Sequence, residues 1–144
     1  MAKRQVLALI ATFGLCVLFF AINDYLSAER PTSKKIILNQ KEAIIDETQF
    51  VFKPILEQSG EFRRLKILCE ITSYMNPEIL NLNFKNQTVI EINDEFMLPT
   101  SWRVIDQTND KIIGQLIFNI ESGVTLNTFA LRIFTFSDHE IIWD

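Results

Sequence analysis

The side chains that most often carry out catalysis are few in this 144-residue chain. His139 is the only histidine, so a Ser, His, Asp or Cys, His arrangement would have to use it. The segment Asp138-His139-Glu140 offers two metal ligands in sequence, but adjacent strand residues point to opposite faces of a sheet. The segment also adjoins a predicted turn. We therefore expect neither a nucleophilic centre nor a metal site here.

Acidic side chains come close together in sequence at several places, as expected with 18 Asp and Glu. The best local groups are Asp94-Glu95 and Asp106 with Asp110, and Asn109 adds an oxygen that calcium accepts. All of them fall in predicted turns, where Asp and Asn form hydrogen bonds with the local backbone. The sequence predicts solvated turns at these positions, and a protein that is not an enzyme and binds no cofactor.

The charge balance limits the class of partner. From Pro31 onward the chain has 11 Lys and Arg against 16 Asp and Glu, which leaves a net charge of −5. Nucleic acid binding needs clustered basic side chains, so we expect no nucleic acid partner. The same balance argues against docking of the whole domain on anionic lipid headgroups.

The N-terminus carries a strongly apolar run. Lys3-Arg4 precede residues 6–22, which are interrupted only by Thr12 and Gly14. At ~1.5 Å per residue the run spans about 25 Å, slightly less than a hydrocarbon core, and residues up to 26 extend it into the interface. We predict a cytoplasmic segment at residues 1–5 and a transmembrane signal-anchor at residues 6–26.

The alternatives to a retained anchor are a cleaved signal peptide and lipid attachment. A cleaved signal peptide ends in a small-x-small site, but Leu26-Ser27-Ala28 places a bulky residue first. Lipid attachment at Cys16 requires a small residue immediately before the cysteine, and that residue is Leu15. The favoured prediction is a single-pass inner-membrane protein with its N-terminus inside. Residues 27–35 form a tether, and residues 36–144 form a domain in the periplasm or outside the cell.

Beyond the tether, short stretches of alternating polarity separated by turns predict strands. In residues 64–74, Leu65, Ile67, Cys69 and Ile71 share one face, so Cys69 is buried and no disulfide is expected. A helix is possible only at residues 41–45, and Pro54 predicts that its strand lies at a sheet edge or that the strand ends there. The predicted strands are residues 35–38, 49–56, 64–74, 80–84, 88–93, 102–107, 111–120, 128–136 and 140–143. Their spacing is typical of an all-β antiparallel sandwich.

One part of this pattern resembles a known family. The stretch "SWRVIDQTNDKIIGQLIFNI" followed by "NTFALRIF" is similar to the C-terminal half of bacterial membrane-anchored, telokin-like immunoglobulin domains of unknown function. Gly114 stands two residues before Leu116-x-Phe118-x-Ile120, as in those domains, and "LCEITSYMNPEILNLNF" resembles their central strand. The resemblance implies an immunoglobulin-like sandwich behind one N-terminal transmembrane helix, and no catalytic residues.

An excess of apolar side chains is the main functional signal. Residues 111–120 and 129–136 carry apolar groups on both strand faces. Such strands are either buried on both sides or expose an apolar patch, which usually marks a partner surface. On the second interpretation the interaction residues are Ile113, Ile117, Phe134 and Phe136. The sequence then predicts a non-enzymatic envelope protein that binds another membrane or envelope protein as an accessory or assembly subunit. The alternative is a domain that binds a small ligand or ion as a sensor or carrier.

Overall fold

The computed structural model describes residues 33–135 and 139–144. The predicted anchor at residues 6–26 and the interaction residue Phe136 lie outside these residues. The described residues include no helix with the length and hydropathy that a bilayer crossing requires. They form strands β1 (Lys34–Ile37), β2 (Lys41–Ile45), β3 (Thr48–Ser59), β4 (Phe62–Ser73), β5 (Thr88–Ile92), β6 (Glu95–Met97), β7 (Ser101–Gln107), β8 (Lys111–Ile120), β9 (Phe129–Ile133) and β10 (His139–Trp143).

The strands form two antiparallel sheets, as the all-β prediction requires. In the large sheet the order is β3, β4, β8, β7. Both β1 and β2 pair with the edge of β3 that faces away from β4. In the small sheet the order is β10, β9, β5, β6. Strand β7 forms an edge of the large sheet, and a bulge at Ile105 shifts its register against β8. A bulge at an edge strand discourages unwanted pairing with another chain.

One face of each sheet contributes to a single buried core. The predicted inward set on β4 is confirmed, because Leu65, Ile67, Cys69 and Ile71 are all buried. On β8, Leu116, Phe118 and Ile120, which the alternation of residues 111–120 also predicts on the inner face, are buried as well. Leu131 and its neighbours from the small sheet belong to the same cluster. Period-2 alternation therefore identified the core face of both long central strands.

Gly114 is required by this core. It lies on the inward side of β8, and the indole of Trp102 from β7 occupies the space where a Cβ atom would stand. Trp102 in turn packs against Phe84, with ring centroids 5.2 Å apart. A side chain at position 114 would have to displace the indole from a packed interior, which is costly.

Two local predictions for the N-terminal part of the domain are wrong. Residues 41–45 form strand β2 and not a helix, because they pair along their whole length with β3. Pro54 is buried within β3, which has strands on both sides. It is tolerated because its carbonyl accepts a hydrogen bond from Leu38 in the gap between β1 and β2. The missing N–H points to the same gap, where no ladder bond is lost.

The prediction of a strand at residues 80–84 is also wrong. The segment forms two short 3₁₀ helices, Pro77–Asn81 and Phe84–Asn86. A proline starts the first helix, and the Asn83 side chain accepts a hydrogen bond from the backbone of Lys85 at the start of the second. Leu80 and Phe84 are buried in the core. Turn chemistry thus overrides an alternation of apolar residues that looks like a strand.

Each sheet contains one tight hairpin turn with an uncommon backbone. Asp46 and Glu47 join β2 to β3, and Asn93 and Asp94 join β5 to β6. All four residues have positive φ, between 47° and 64°. Two consecutive left-handed residues match the right-handed twist of a hairpin, but side chains other than glycine adopt this conformation at a cost.

Candidate interaction surface

The side of the large sheet that faces away from the small sheet carries a regular apolar pattern. We call this side the outer face. Register places Leu68 of β4 at its centre, between Lys53 of β3 and Gln115 of β8. Four aliphatic side chains stand at the corners, two residues further along each neighbouring strand: Val51, Ile55, Ile113 and Ile117. Diagonal neighbours of this kind are close enough to form one patch.

All five aliphatic side chains of this central patch are half-buried, whereas Ile37 and Ile44 of β1 and β2 project from the same face and are exposed. The five are therefore partly shielded by their neighbours within the sheet, while part of each remains in contact with water. With strands ~4.8 Å apart and ~3.3 Å per residue, the patch measures about 10 by 13 Å. That is the size of the apolar centre of an interface, and it is smaller than a whole interface.

Charged side chains surround the patch and are partly paired with each other. Glu57 lies 2.7 Å from the Lys66 ammonium and 3.6 Å from that of Lys35. Glu70 lies 2.5 Å from the ammonium of Lys111. The hydrogen bond from Lys66, helped by the charges of both lysines, holds the pKa of Glu57 below its usual value, although partial burial opposes this shift. The rim of the patch is thus fixed in position.

The outer face differs in charge from the rest of the protein. Six basic and four acidic side chains project from it, whereas the whole chain carries a net charge of −4. The basic residues are Lys35, Lys53, Arg64, Lys66, Arg103 and Lys111, and the acidic residues are Glu42, Glu57, Glu70 and Asp106. An apolar centre within a net positive rim fits a partner surface that is apolar at its centre and acidic around it.

The exposed side of the small sheet is organised differently. The guanidinium of Arg132 lies 2.6 Å from Glu91 and 3.5 Å from Glu140, and it stacks over the Phe96 ring at 5.2 Å. Register places Val89 directly beside Arg132 on the same side, and Val89 is only 4% exposed. The stem of Arg132 therefore covers Val89, whereas Phe96 and Ile142 on the same side of the sheet remain exposed.

The structure brings together two of the four interaction residues predicted from sequence. Ile113 and Ile117 lie on the outer face, four residues apart on β8. Phe134 follows the end of β9 in the small sheet, where its backbone N–H donates to Gln87, and its side chain is 53% exposed. Phe134 therefore belongs to another part of the surface, and Phe136 is outside the described residues.

Sequence reasoning did not include the other three members of the patch. Leu68 alternates with the inward residues of β4, as Lys66 and Glu70 do, so its outward direction was visible. Val51 and Ile55 carry the same signal on β3. The sequence pattern does not give the strand order and register that place β3 and β4 beside β8, because local periodicity shows only which face of a strand a residue occupies.

The residues singled out for possible chemistry have ordinary structural surroundings. Cys69 is buried, its thiol lies 3.5 Å from the Ile67 carbonyl, and burial raises the pKa of the thiol. Asp106 accepts a hydrogen bond from the backbone of Gln107, and Asp110 accepts one from Thr108. Within residues 33–135 and 139–144, no three His, Cys, Asp or Glu side chains are grouped as metal ligands.

A groove next to β6 has the volume of a small-ligand site. It measures about 520 Å³ and lies between β6 and the turn at residues 121–125. Its wall contains Phe96, Met97 and Val124 together with polar turn residues. Volume alone does not indicate a ligand, because specific sites also need converging polar groups.

The comparisons with known proteins give no guide to the function. No family model matches the chain. No curated protein and no solved structure matches it either. The function therefore has to be argued from the surface of this molecule itself.

Proposed function

We propose that this protein is a non-enzymatic, membrane-anchored accessory or assembly subunit that binds another envelope protein through the outer face of its large sheet. The observation that carries the proposal is the patch of five half-buried aliphatic side chains centred on Leu68. Aliphatic groups in this arrangement leave apolar area in water, and covering it gives a favourable free energy of about 25 cal/mol per Å².

The charge around the patch supports a particular kind of partner. Steering between proteins works through complementary charge, and a net positive rim attracts an acidic surface. Lys53 and Arg103 stand at the two ends of the row through Leu68. A partner that places acidic side chains against these two residues and an apolar group over Leu68 satisfies both features.

The location in the cell forms the second part of the proposal. The apolar run at residues 6–26 behind Lys3-Arg4 supports an uncleaved anchor with its N-terminus in the cytoplasm. The domain then lies in the periplasm or outside the cell. The two-sheet antiparallel arrangement, together with the resemblance stated above, supports an immunoglobulin-like topology for it.

Photo-crosslinking from within the native membrane tests the partner surface. A photoreactive phenylalanine analogue at position 117 of the full chain is expected to give one discrete adduct. The same analogue at Ile142, an exposed apolar residue on the small sheet, is the control and is expected to give none. Leu68→Asp should abolish the adduct from position 117, because it places a charge at the centre of the patch.

Two further variants distinguish the outer face from general apolar exposure. Ile117→Asp should prevent co-purification of the crosslinked partner. Phe134→Asp makes the same chemical change on an exposed residue elsewhere and should leave co-purification intact. Equal adducts from positions 117 and 142, or co-purification that survives Ile117→Asp, would contradict the proposed surface.

A further inference from the structure

The tip of the β3–β4 hairpin exposes an aromatic ring. Gly60 and Glu61 form the turn, with Gly60 at a φ of +59°, and Phe62 follows directly as the first residue of β4. The side chain of Phe62 is 82% exposed. A single exposed apolar residue is common and needs no explanation by itself. Its surroundings decide whether it has a role.

The described part of the chain begins beside this tip. Ser33 and Phe62 line the same shallow groove, together with Arg64. Lys34, the first residue of β1, pairs with Gln58 near the end of β3. Ser33, where the described residues begin, therefore lies at the hairpin-tip end of these strands and not at their opposite ends.

Charge distribution distinguishes this region from the rest of the domain. Two basic and three acidic side chains line the grooves beside Phe62, and two further basic side chains stand at the same end of the sheet on β1, whereas the domain as a whole is acidic. The basic residues are Lys34, Lys35, Arg63 and Arg64, and the acidic ones are Glu57, Glu61 and Glu121. The net negative charge of the domain argues against its docking on lipid, but the tip does not share this negative charge. Arg63 is held in place by a hydrogen bond to the Val124 carbonyl.

The length of chain before Ser33 limits how far the tip can be from a membrane. Only residues 27–32 separate the predicted end of the anchor at residue 26 from Ser33. Even fully extended, this stretch spans at most roughly 25 Å. Aromatic rings flanked by Lys and Arg favour the headgroup region of a bilayer, where the ring is buried and the charges meet phosphates.

We propose that the β3–β4 hairpin tip is a second membrane contact, which places Phe62 in the headgroup region of the phospholipid bilayer. Lys34 and Arg64 contact lipid phosphates beside it. The proposal rests on the anchor in the proposed function for its proximity to the bilayer. Its consequence is that the β3–β4 hairpin end of the domain faces the membrane.

Fluorescence quenching in vesicles tests this contact with the full chain. An environment-sensitive fluorophore is attached to Glu61→Cys, or to Met75→Cys as the control. Met75 is exposed just beyond the other end of β4, about 40 Å from the tip. Both variants carry Cys16→Ser, and Cys69 is protected by burial. The protein is reconstituted into phosphatidylcholine vesicles that carry a nitroxide on the acyl chain, and flotation measures insertion.

The expected result is quenching of the label at position 61 that is at least about twofold stronger than at position 75. Phe62→Ser should remove most of that difference, because the ring that holds the tip in the interface is gone. A chain that floats with the vesicles but shows equal or no quenching at the two positions overturns the tip contact and leaves the anchor standing. A chain that does not float overturns the anchor, and the tip contact with it.

Discussion

The surroundings of Val89 on the small sheet and of Leu68 on the large sheet differ in whether a charged side chain covers the apolar surface. On the small sheet, Arg132 is fixed by Glu91, Glu140 and the ring of Phe96, and the strand residue beside it is buried. On the large sheet, the ion pairs stand around the aliphatic patch and do not cover it. Covered apolar surface contributes to folding, whereas uncovered apolar surface is available for binding.

This difference answers the question raised by strands with apolar groups on both faces. Both interpretations apply, each to a different strand. Strand β9 is buried on both sides, since Ala130 on its exposed side is 8% exposed. Strand β8 is buried on one side and half-exposed on the other, at Ile113 and Ile117. The two strands therefore differ in how far their outward apolar groups are covered.

Removing Arg132 should have the largest effect on stability. Arg132→Ala leaves the Glu91 carboxylate partly buried without its cation and uncovers Val89, so we expect a loss of about 2 kcal/mol in the free energy of unfolding. Urea denaturation measures this loss. Arg103→Ala, which truncates an exposed arginine on β7, is the matched control and should change stability by less than about 0.5 kcal/mol. Similar losses in the two variants would remove the contrast between the sheets.

A matched pair of β-branched substitutions tests coverage directly. Val89→Thr buries a hydroxyl under Arg132 and should cost about 1–2 kcal/mol. Val51→Thr makes the same change on the outer face, where the hydroxyl can reach water, and should cost less than about 1 kcal/mol. Thermal or urea unfolding of the isolated full chain in detergent compares them. A cost at Val51 as large as that at Val89 would mean that the outer face is already covered.

The tight turns should respond alike in both sheets, because the strain at their left-handed residues is local. Glu47→Gly in the large sheet and Asp94→Gly in the small sheet each relieve a positive φ. Each is expected to raise the free energy of unfolding by roughly 0.5–1 kcal/mol. Glu95→Gly, one residue later in strand β6, serves as the control and should lower it. A loss of stability in Glu47→Gly would show that its side chain contributes more than its backbone costs.

The smallest expected effect is the pH dependence of the ion pair at the rim of the patch. The folded-state pKa of Glu57 is lowered from 4.5, so the pair contributes stability above that pH and loses it as pH falls through the folded pKa. In Lys66→Met the main partner is gone. The difference in unfolding free energy between the two proteins should be a few tenths of a kcal/mol at neutral pH and should vanish in acid. A difference that stays constant as the solution is acidified would exclude the pair as its cause.

Local pattern predicted the elements better than it predicted their neighbours. Alternation on β4 and β8 identified the core face, because burial of one face imposes a period of two on the sequence. It failed at Leu80 and Phe84, where Pro77 and the capping side chain of Asn83 direct the chain into 3₁₀ turns despite the same alternation. Pro54 predicted an edge strand, whereas β3 has neighbours on both sides. The proline fits there because it faces the gap between β1 and β2, and that gap depends on where two other strands end.

The surface was only half predictable for a similar reason. Ile113 and Ile117 were found because both stand on one strand. Leu68 and Val51 join them only through the register of β3, β4 and β8, which is long-range information. The same holds for Arg132 and Glu91, which are far apart in sequence and meet across β5 and β9. Single-strand reasoning therefore finds members of a patch, and pairing determines its shape.

Native mass spectrometry of the tagged protein, extracted from its membrane in mild detergent, tests the central claim most directly. The account predicts a subunit mass that retains residues 1–30 within a larger assembly, and release of a free subunit when Leu68 is changed to Asp. A free monomer that lacks residues 1–30 would contradict the account, since it would make the N-terminal run a cleaved signal peptide and leave the outer face without a partner.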